Sequence, residues 1–172
     1  MNQYMDLIGK NARKASLGKI NTKIKNKVLK KYVLLIDKEK NLILRENAKD
    51  IKFSLKKKLK NNLIDRLVLN HKKLNIIKNS IKKIIKLKDP IDNTLEKWKR
   101  PNGLKISRVS IPIGVIGVIF ESRPNVSSDV ASLCFKSGNT VILRGGSESI
   151  NSNKILINLF RYSLKQKKFD IN

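Results

Sequence analysis

Cysteine and histidine are almost missing from this chain of 172 residues, which has one of each, Cys134 and His71. A lone cysteine excludes a disulfide framework and a four-cysteine zinc site, and one histidine beside it suggests no transition-metal centre. Aromatics are scarce, at 5 %, and acidic residues number 13 against 39 Lys and Arg. Long hydrophobic runs are missing too. The longest, Ile111 to Phe120, is ten residues and contains Pro and Gly, about half of the roughly 20 that a spanning helix needs. The opening Met1 to Asp6 lacks the basic-then-apolar order of a secretory signal, so a cytoplasmic location is expected.

Lys, Ile and Asn are abundant, together 73 of the 172 residues, and the net charge is +26. Residues 1–100 hold 29 basic and 9 acidic side chains, residues 101–172 only 10 and 4. Such an excess can neutralise phosphates, so a nucleic-acid partner has to be weighed. All three abundant residue types have AT-rich codons, however, which offers a mutational origin for the charge. The excess is also mostly Lys, whereas base stacking and bidentate phosphate contacts favour aromatics and Arg. A solvated basic surface is the expectation, with nucleic-acid binding as the rival. At 40 % apolar residues, the chain can build a core for one domain or two small ones.

Residues 1–100 read as helices. Ile20, Ile24, Val28, Tyr32 and Leu35 form one apolar stripe on a helix from about 20 to 37, with Lys23, Lys25, Lys27, Lys30 and Lys31 left mostly to water. A second helix is expected from about 41 to 59, with Leu44, Ala48, Ile51, Leu55 and Leu59 on its buried face. A third carries Leu74, Ile77, Ile81 and Ile84, with Asn70 as N-cap, and must end before Pro90. These stripes are core-forming and name no ligand.

The pattern changes after Pro90. Asn102-Gly103 is a turn signal, with an alternating strand Leu104 to Val109 after it and Trp98 on the strand before it. Ile113 to Phe120 is continuously apolar and β-branched, the pattern of a parallel strand buried on both faces. A helix from Val126 to Lys136 follows, capped by Ser127 or Ser128, with Asp129 in its first turn and Gly138 in the left-handed position beyond its end. Asn139 to Leu143 is a second buried strand, and Ser149 to Lys165 a further helix. Together they make a βαβ unit, the building block of a nucleotide-binding sheet.

Ligands of such sheets bind beyond the C-terminal strand ends, which here carry Glu121-Ser122-Arg123-Pro124-Asn125 and Arg144-Gly145-Gly146-Ser147-Glu148. The second loop suits a phosphorylated ribose. Arg144 and Ser147 can meet the phosphate, Glu148 a ribose hydroxyl, and Gly145 and Gly146 let the backbone come close. A Gly-Gly turn between strand and helix is also common in purely structural roles. Gly114 and Gly117 have the wrong spacing for a dinucleotide fingerprint and are expected to permit close packing instead. Cys134, inside a helix, is expected to be a buried, inert thiol, and His71 a solvated first-turn residue.

The run from Arg108 to Glu148, with its Glu-Ser-Arg-Pro-Asn-Val and Ile-Leu-Arg-Gly-Gly-Ser-Glu stretches, closely resembles the gamma-glutamyl phosphate reductase family of the aldehyde dehydrogenase superfamily. Weaker matches are Asn47-Ala48-Lys49-Asp50, Asp65-Arg66-Leu67, Asp89-Pro90 and Arg100-Pro101-Asn102-Gly103-Leu104. The resemblance implies an α/β fold: a helical region over 1–90, a strand or hairpin connector over 91–112, and part of an NADP-binding βαβ domain over 113–172. It implies the proline-biosynthetic reduction of gamma-glutamyl phosphate to glutamate semialdehyde by NADPH, through a Cys thioester. By position, Asn125 matches the amide that stabilises the oxyanion, and Arg144 to Glu148 match the loop holding the cofactor's adenosine ribose and 2′-phosphate. Arg123 is assigned to the anionic substrate from its charge and place. Full members are more than twice as long and can be homo-oligomers. Their nucleophilic Cys lies in a later domain, so Cys134 is not its counterpart. The expectation is therefore an N-terminal, truncated form that is inactive alone, ending in an arbitrary stop over 165–172. A module complemented by a separate C-terminal half is the alternative.

Overall fold

The structure, a computed structural model, describes residues 3–165; residues 166–172, most of the stretch read above as an arbitrary stop, lie outside the described residues. Five helices come first: α1 (Gln3–Ser16), α2 (Thr22–Lys38), α3 (Lys40–Lys56), α4 (Asn61–Leu67) and α5 (His71–Lys86). A hairpin follows, β1 (Thr94–Lys99) and β2 (Lys105–Val109), and then β3 (Val115–Ile119), α6 (Pro124–Lys136), β4 (Thr140–Arg144) and α7 (Ile150–Lys165). The pairing of β3 with β4 is parallel, as the α6 crossover requires. None of the described helices is long and apolar enough to cross a membrane.

Helices α2 and α5 follow their apolar stripes. Val28, Tyr32 and Leu35 of α2 and Leu74, Ile77, Ile81 and Ile84 of α5 are buried. The side chain of Asn21 caps α2 by accepting from Ile24 N at 2.9 Å, and that of Asn70 caps α5 by accepting from Lys73 N at 2.8 Å. One core cluster joins these helices to Ala131 of α6 and to Leu156, Leu159 and Phe160 of α7. Phe160 stands edge-on to Tyr32 at 5.1 Å and to Phe135 at 5.7 Å, a geometry that aromatic quadrupoles favour. Tyr32 is fully buried and its hydroxyl bonds Ser128 Oγ at 2.7 Å. Helices α2, α3 and α5 and the βαβ unit thus share one apolar interior.

Several expectations are corrected. Lys25 is not in water: it is 2 % exposed, and its ammonium reaches both oxygens of Asp89 at 3.1 and 2.9 Å. The second helix ends at Lys56 rather than 59, and a separate α4 follows Lys58, which has φ +52°. Its buried face is Ile43, Asn47, Asp50 and Ser54, one register away from the apolar stripe, while Leu55 is 59 % exposed. Apolar periodicity misses this face because two of its polar side chains, Asn47 and Asp50, find partners far along the chain. Strand β2, expected half-buried, is largely exposed.

The doubly buried strand is also corrected. Along β3 exposed and half-buried residues alternate, and Ile119 is 86 % exposed. Its apolar run matches a covered sheet, but α1 and α6, which pack on this two-stranded sheet, leave that face open. A methyl group added at Gly114 or Gly117 would accordingly meet nothing within 4 Å, so close packing is not their role; Gly114 instead has φ +114°. Helix α6 starts two residues early, at Pro124, which suits the first helical position. Ser127 and Ser128 are therefore interior rather than caps, and Asp129 lies beyond the first turn. Gly138 does take the left-handed position after α6, at φ +71°.

Candidate functional site

Register places the site. Ile119, the last residue of β3, is opposite Arg144, the last of β4, and Phe120 N donates to Arg144 O at 3.0 Å. Because the strands are parallel, the 121–125 and 145–149 loops leave the sheet at the same end. The first loop turns sharply, with Arg123 N donating to Glu121 O at 2.7 Å before Pro124 opens α6. The second passes through a single 3-10 turn, Ser147–Ser149, before α7.

A hydrogen bond ties the loops together. Ser122 Oγ donates to Glu148 Oε2 at 2.8 Å, and Ser147 Oγ donates to the other oxygen, Oε1, at 2.9 Å. The Ser122 bond, the residue's own amide and Ser147 hold the Glu148 carboxyl below its ordinary range, against a smaller upward push from burial. Glu148 is thus an ionised acceptor at neutral pH, with lone pairs to spare.

Both glycines are sterically required. A methyl group at Gly146 would lie 2.1 Å from Ser122 Oγ, and one at Gly145 would lie 2.5 Å from Asn153 Nδ2 and 2.9 Å from Phe120 Cζ. The bare backbone is needed for the two loops to close on each other, whatever else approaches them.

Three arginines lie on or beside these loops. Arg144 is exposed and has no ion-pair partner among the described residues. Arg66, on α4, reaches Glu121 Oε2 at 3.2 Å, and Arg123 lies 3.9 Å from the same oxygen. Asn125 is exposed, and its Nδ2 approaches Asp129 Oδ2 at 3.5 Å, at the limit of a hydrogen bond. Cys134 is buried at 8 % exposure, and burial pushes its thiol pKa up. Lys136, the nearest cation along the chain, turns instead to Asn26 Oδ1 and Ile85 O.

Sequence reading did not single out Arg66, nor the role of Ser122, nor Asn47 and Asp50. The Asn47-Ala48-Lys49-Asp50 and Asp65-Arg66-Leu67 matches were the available signals.

Known proteins are similar to this chain in sequence and fold. The gamma-glutamyl phosphate reductase of Persephonella marina is 39 % identical over 168 residues, 96 % of this chain, and that of Halothermothrix orenii 48 % identical over 150 residues, 84 % of the chain. The crystal structure of the Thermotoga maritima enzyme superposes with a TM-score of 0.90 at 39 % identity over 94 % of this chain. Over most of its length the chain is similar to gamma-glutamyl phosphate reductases, at 39 and 48 % identity in the first two relatives. It covers 38 % of the Persephonella protein, 36 % of the Halothermothrix protein and 40 % of the Thermotoga chain, little more than a third of its curated relatives. A propionaldehyde dehydrogenase from Clostridium phytofermentans, 15 % identical with a TM-score of 0.60 over 97 % of this chain and 36 % of that one, shares the fold alone. No family model matches the chain.

Proposed function

We propose that this chain supplies the cofactor-facing part of an NADPH-dependent reductase acting on gamma-glutamyl phosphate, in proline biosynthesis. The observation that carries the reading is the closure of the two strand-end loops through Ser122 and Glu148, at the strand end that carries the exposed Arg144, which has no ion-pair partner among the described residues. The residues fit a phosphorylated ribose. Glu148 is ionised and accepts from ribose hydroxyls, and Arg144 has the fork geometry that binds a 2′-phosphate. The methyl-free backbone at Gly145 and Gly146 keeps the loops closed behind it.

The bound cofactor supplies the hydride; the chain's own groups bind and orient. Ser147 has one proton, now given to Glu148 Oε1, so it reaches the phosphate only by changing acceptor, and Arg144 carries most of the discrimination. Asn125 offers an amide N–H to the oxyanion that forms on the acyl carbon. Arg123 holds the anionic substrate, with Glu121 aligning its guanidinium. Cys134 does not fit the nucleophile's role: it is buried in α6, and burial raises its thiol pKa and so disfavours the thiolate. The 172 residues alone are therefore inactive.

The test is Arg144→Ala in a full-length reductase carrying this segment. NADPH affinity should fall about tenfold or more, from loss of a charge-assisted bond, and NADH affinity much less. Equal losses for both cofactors would refute the 2′-phosphate assignment. Consumption of NADPH with the acyl phosphate by the purified 172-residue chain would overturn the claim of inactivity.

A further inference from the structure

Two polar residues of α3, Asn47 and Asp50, lie outside both loops, and each is 1 % exposed. A buried carboxylate persists only where its charge is fully hydrogen-bonded or paired. All four donors that Asp50 receives come from two residues at the start of α7. Its Oδ1 accepts from Asn151 N at 3.1 Å and Asn151 Nδ2 at 2.8 Å, and its Oδ2 from Ser152 N at 2.8 Å and Ser152 Oγ at 2.6 Å. Those two amides are first-turn donors that α7 cannot satisfy itself, and the carboxylate also favours the positive end of that helix. The cap comes from about 100 residues away, in another layer of the fold.

Asn47 extends the tie. Its Nδ2 donates to Ser152 Oγ at 3.0 Å and to Leu67 O at 2.9 Å, and its Oδ1 accepts from Leu69 N at 2.8 Å. Leu67 closes α4, whose Arg66 bonds Glu121 in the first loop. On the other side, Asn151 is three residues beyond Glu148. The intervening turn is pinned by Ser149 N on Gly146 O at 3.3 Å and by Asn153 Nδ2 on Ser149 Oγ at 2.9 Å.

We infer that Asn47 and Asp50 are positioning residues of the reductase. They form a latch from the helical layer that fixes the start of α7 and so sets where Arg144, Ser147 and Glu148 meet the cofactor. The inference rests on the cofactor role of that loop proposed above.

The test compares Asp50→Asn, Ser152→Ala and Arg144→Ala in a full-length reductase carrying this segment. Asp50→Asn should raise the KM for NADPH about tenfold, by a larger factor than kcat falls. It should also speed hydrogen exchange at the Asn151 and Ser152 amides about tenfold while leaving the α5 amides unchanged. Ser152→Ala removes a hydroxyl shared by Asn47 and Asp50 but leaves the carboxylate and both amides. It should move the same quantities in the same direction by less, and it decides the matter if Asp50→Asn does not fold. Protection lost to the same degree in α5 would make the pair a general stabiliser and overturn the inference. Arg144→Ala that discriminates the cofactors, beside latch variants with an unmoved KM for NADPH, would overturn the latch alone. An Arg144→Ala that does not discriminate them removes the loop's role, and the latch falls with it.

Discussion

Gly146→Ala tests the closure of the two loops most directly. At φ −62° and ψ 151°, Gly146 has a conformation any residue adopts, so the backbone is not strained by the change. Restricting the unfolded chain would by itself stabilise the protein by about 0.4–1 kcal/mol. The new methyl group, however, lies 2.1 Å from Ser122 Oγ, 3.0 Å from Glu148 Oε2 and 3.2 Å from Ser122 N. Ser122 must rotate away and surrender its bond to Glu148. Losing a part-buried bond to a carboxylate costs about 1.5–2 kcal/mol, and the close backbone nitrogen adds about 1 kcal/mol of strain. The balance is a net loss of about 2 kcal/mol. Urea unfolding of Gly146→Ala, Ser122→Ala and the double variant measures it. With the Ser122 hydroxyl removed, Gly146→Ala should become nearly neutral, a coupling above about 1 kcal/mol between the sites. The Glu148 carboxyl, followed by NMR titration, should move up toward its ordinary value in Gly146→Ala. Equal destabilisation by Gly146→Ala with and without Ser122 Oγ would refute the reasoning.

Four further outcomes follow from the same geometry. Leu156→Ala empties a fully buried core position and should cost about 2–5 kcal/mol in a urea titration; a loss below about 1 kcal/mol would show that α7 is not docked on α2 and α3. Tyr32→Phe leaves the Ser128 hydroxyl buried without its partner and should cost about 1–3 kcal/mol, whereas a neutral result would deny the bond. Burial raises the pKa of Asp89, but hydrogen bonds from Thr22, Lys25 and the Ile91 amide outweigh it and hold the carboxyl below its ordinary value. The stability this contributes is present above the unfolded value, about 3.9, and is lost as pH falls through the lower folded value. Asp89→Asn should therefore flatten the acid limb of a stability–pH curve, and an unchanged limb would count against the Lys25 pair. Cys134 should react with a thiol reagent far more slowly in the folded chain than in urea, and equal rates would contradict its burial.

Most of the outline was legible where a local rule applies. The stripes of α2 and α5 name their own buried faces, and Asn70 caps within three residues of itself. Asn102-Gly103 makes the hairpin that sets Trp98 opposite Ile106. Two β-branched runs around a short helix announce a parallel pair, and so also the end of the sheet at which its loops gather. These features depend on neighbours a few residues apart, which the order of side chains records directly.

Tertiary structure decided the rest. The buried face of α3 is polar because Asn47 and Asp50 find donors and acceptors on α4 and α7, and Lys25 is buried because Asp89, 64 positions on, receives its charge. No periodicity reports a polar group whose partner lies beyond the helix that carries it. Ile119 is exposed for the converse reason: its sequence expresses a preference for burial, but only a packed neighbour can grant it. The bond from Ser122 to Glu148 spans 26 residues and exists because the parallel register sets Ile119 beside Arg144. Residue types thus determined which elements form, while long-range pairing determined where groups such as Asn47, Asp50 and Lys25 could be buried and which loops could meet, because desolvating a polar group is costly unless the fold returns its hydrogen bonds.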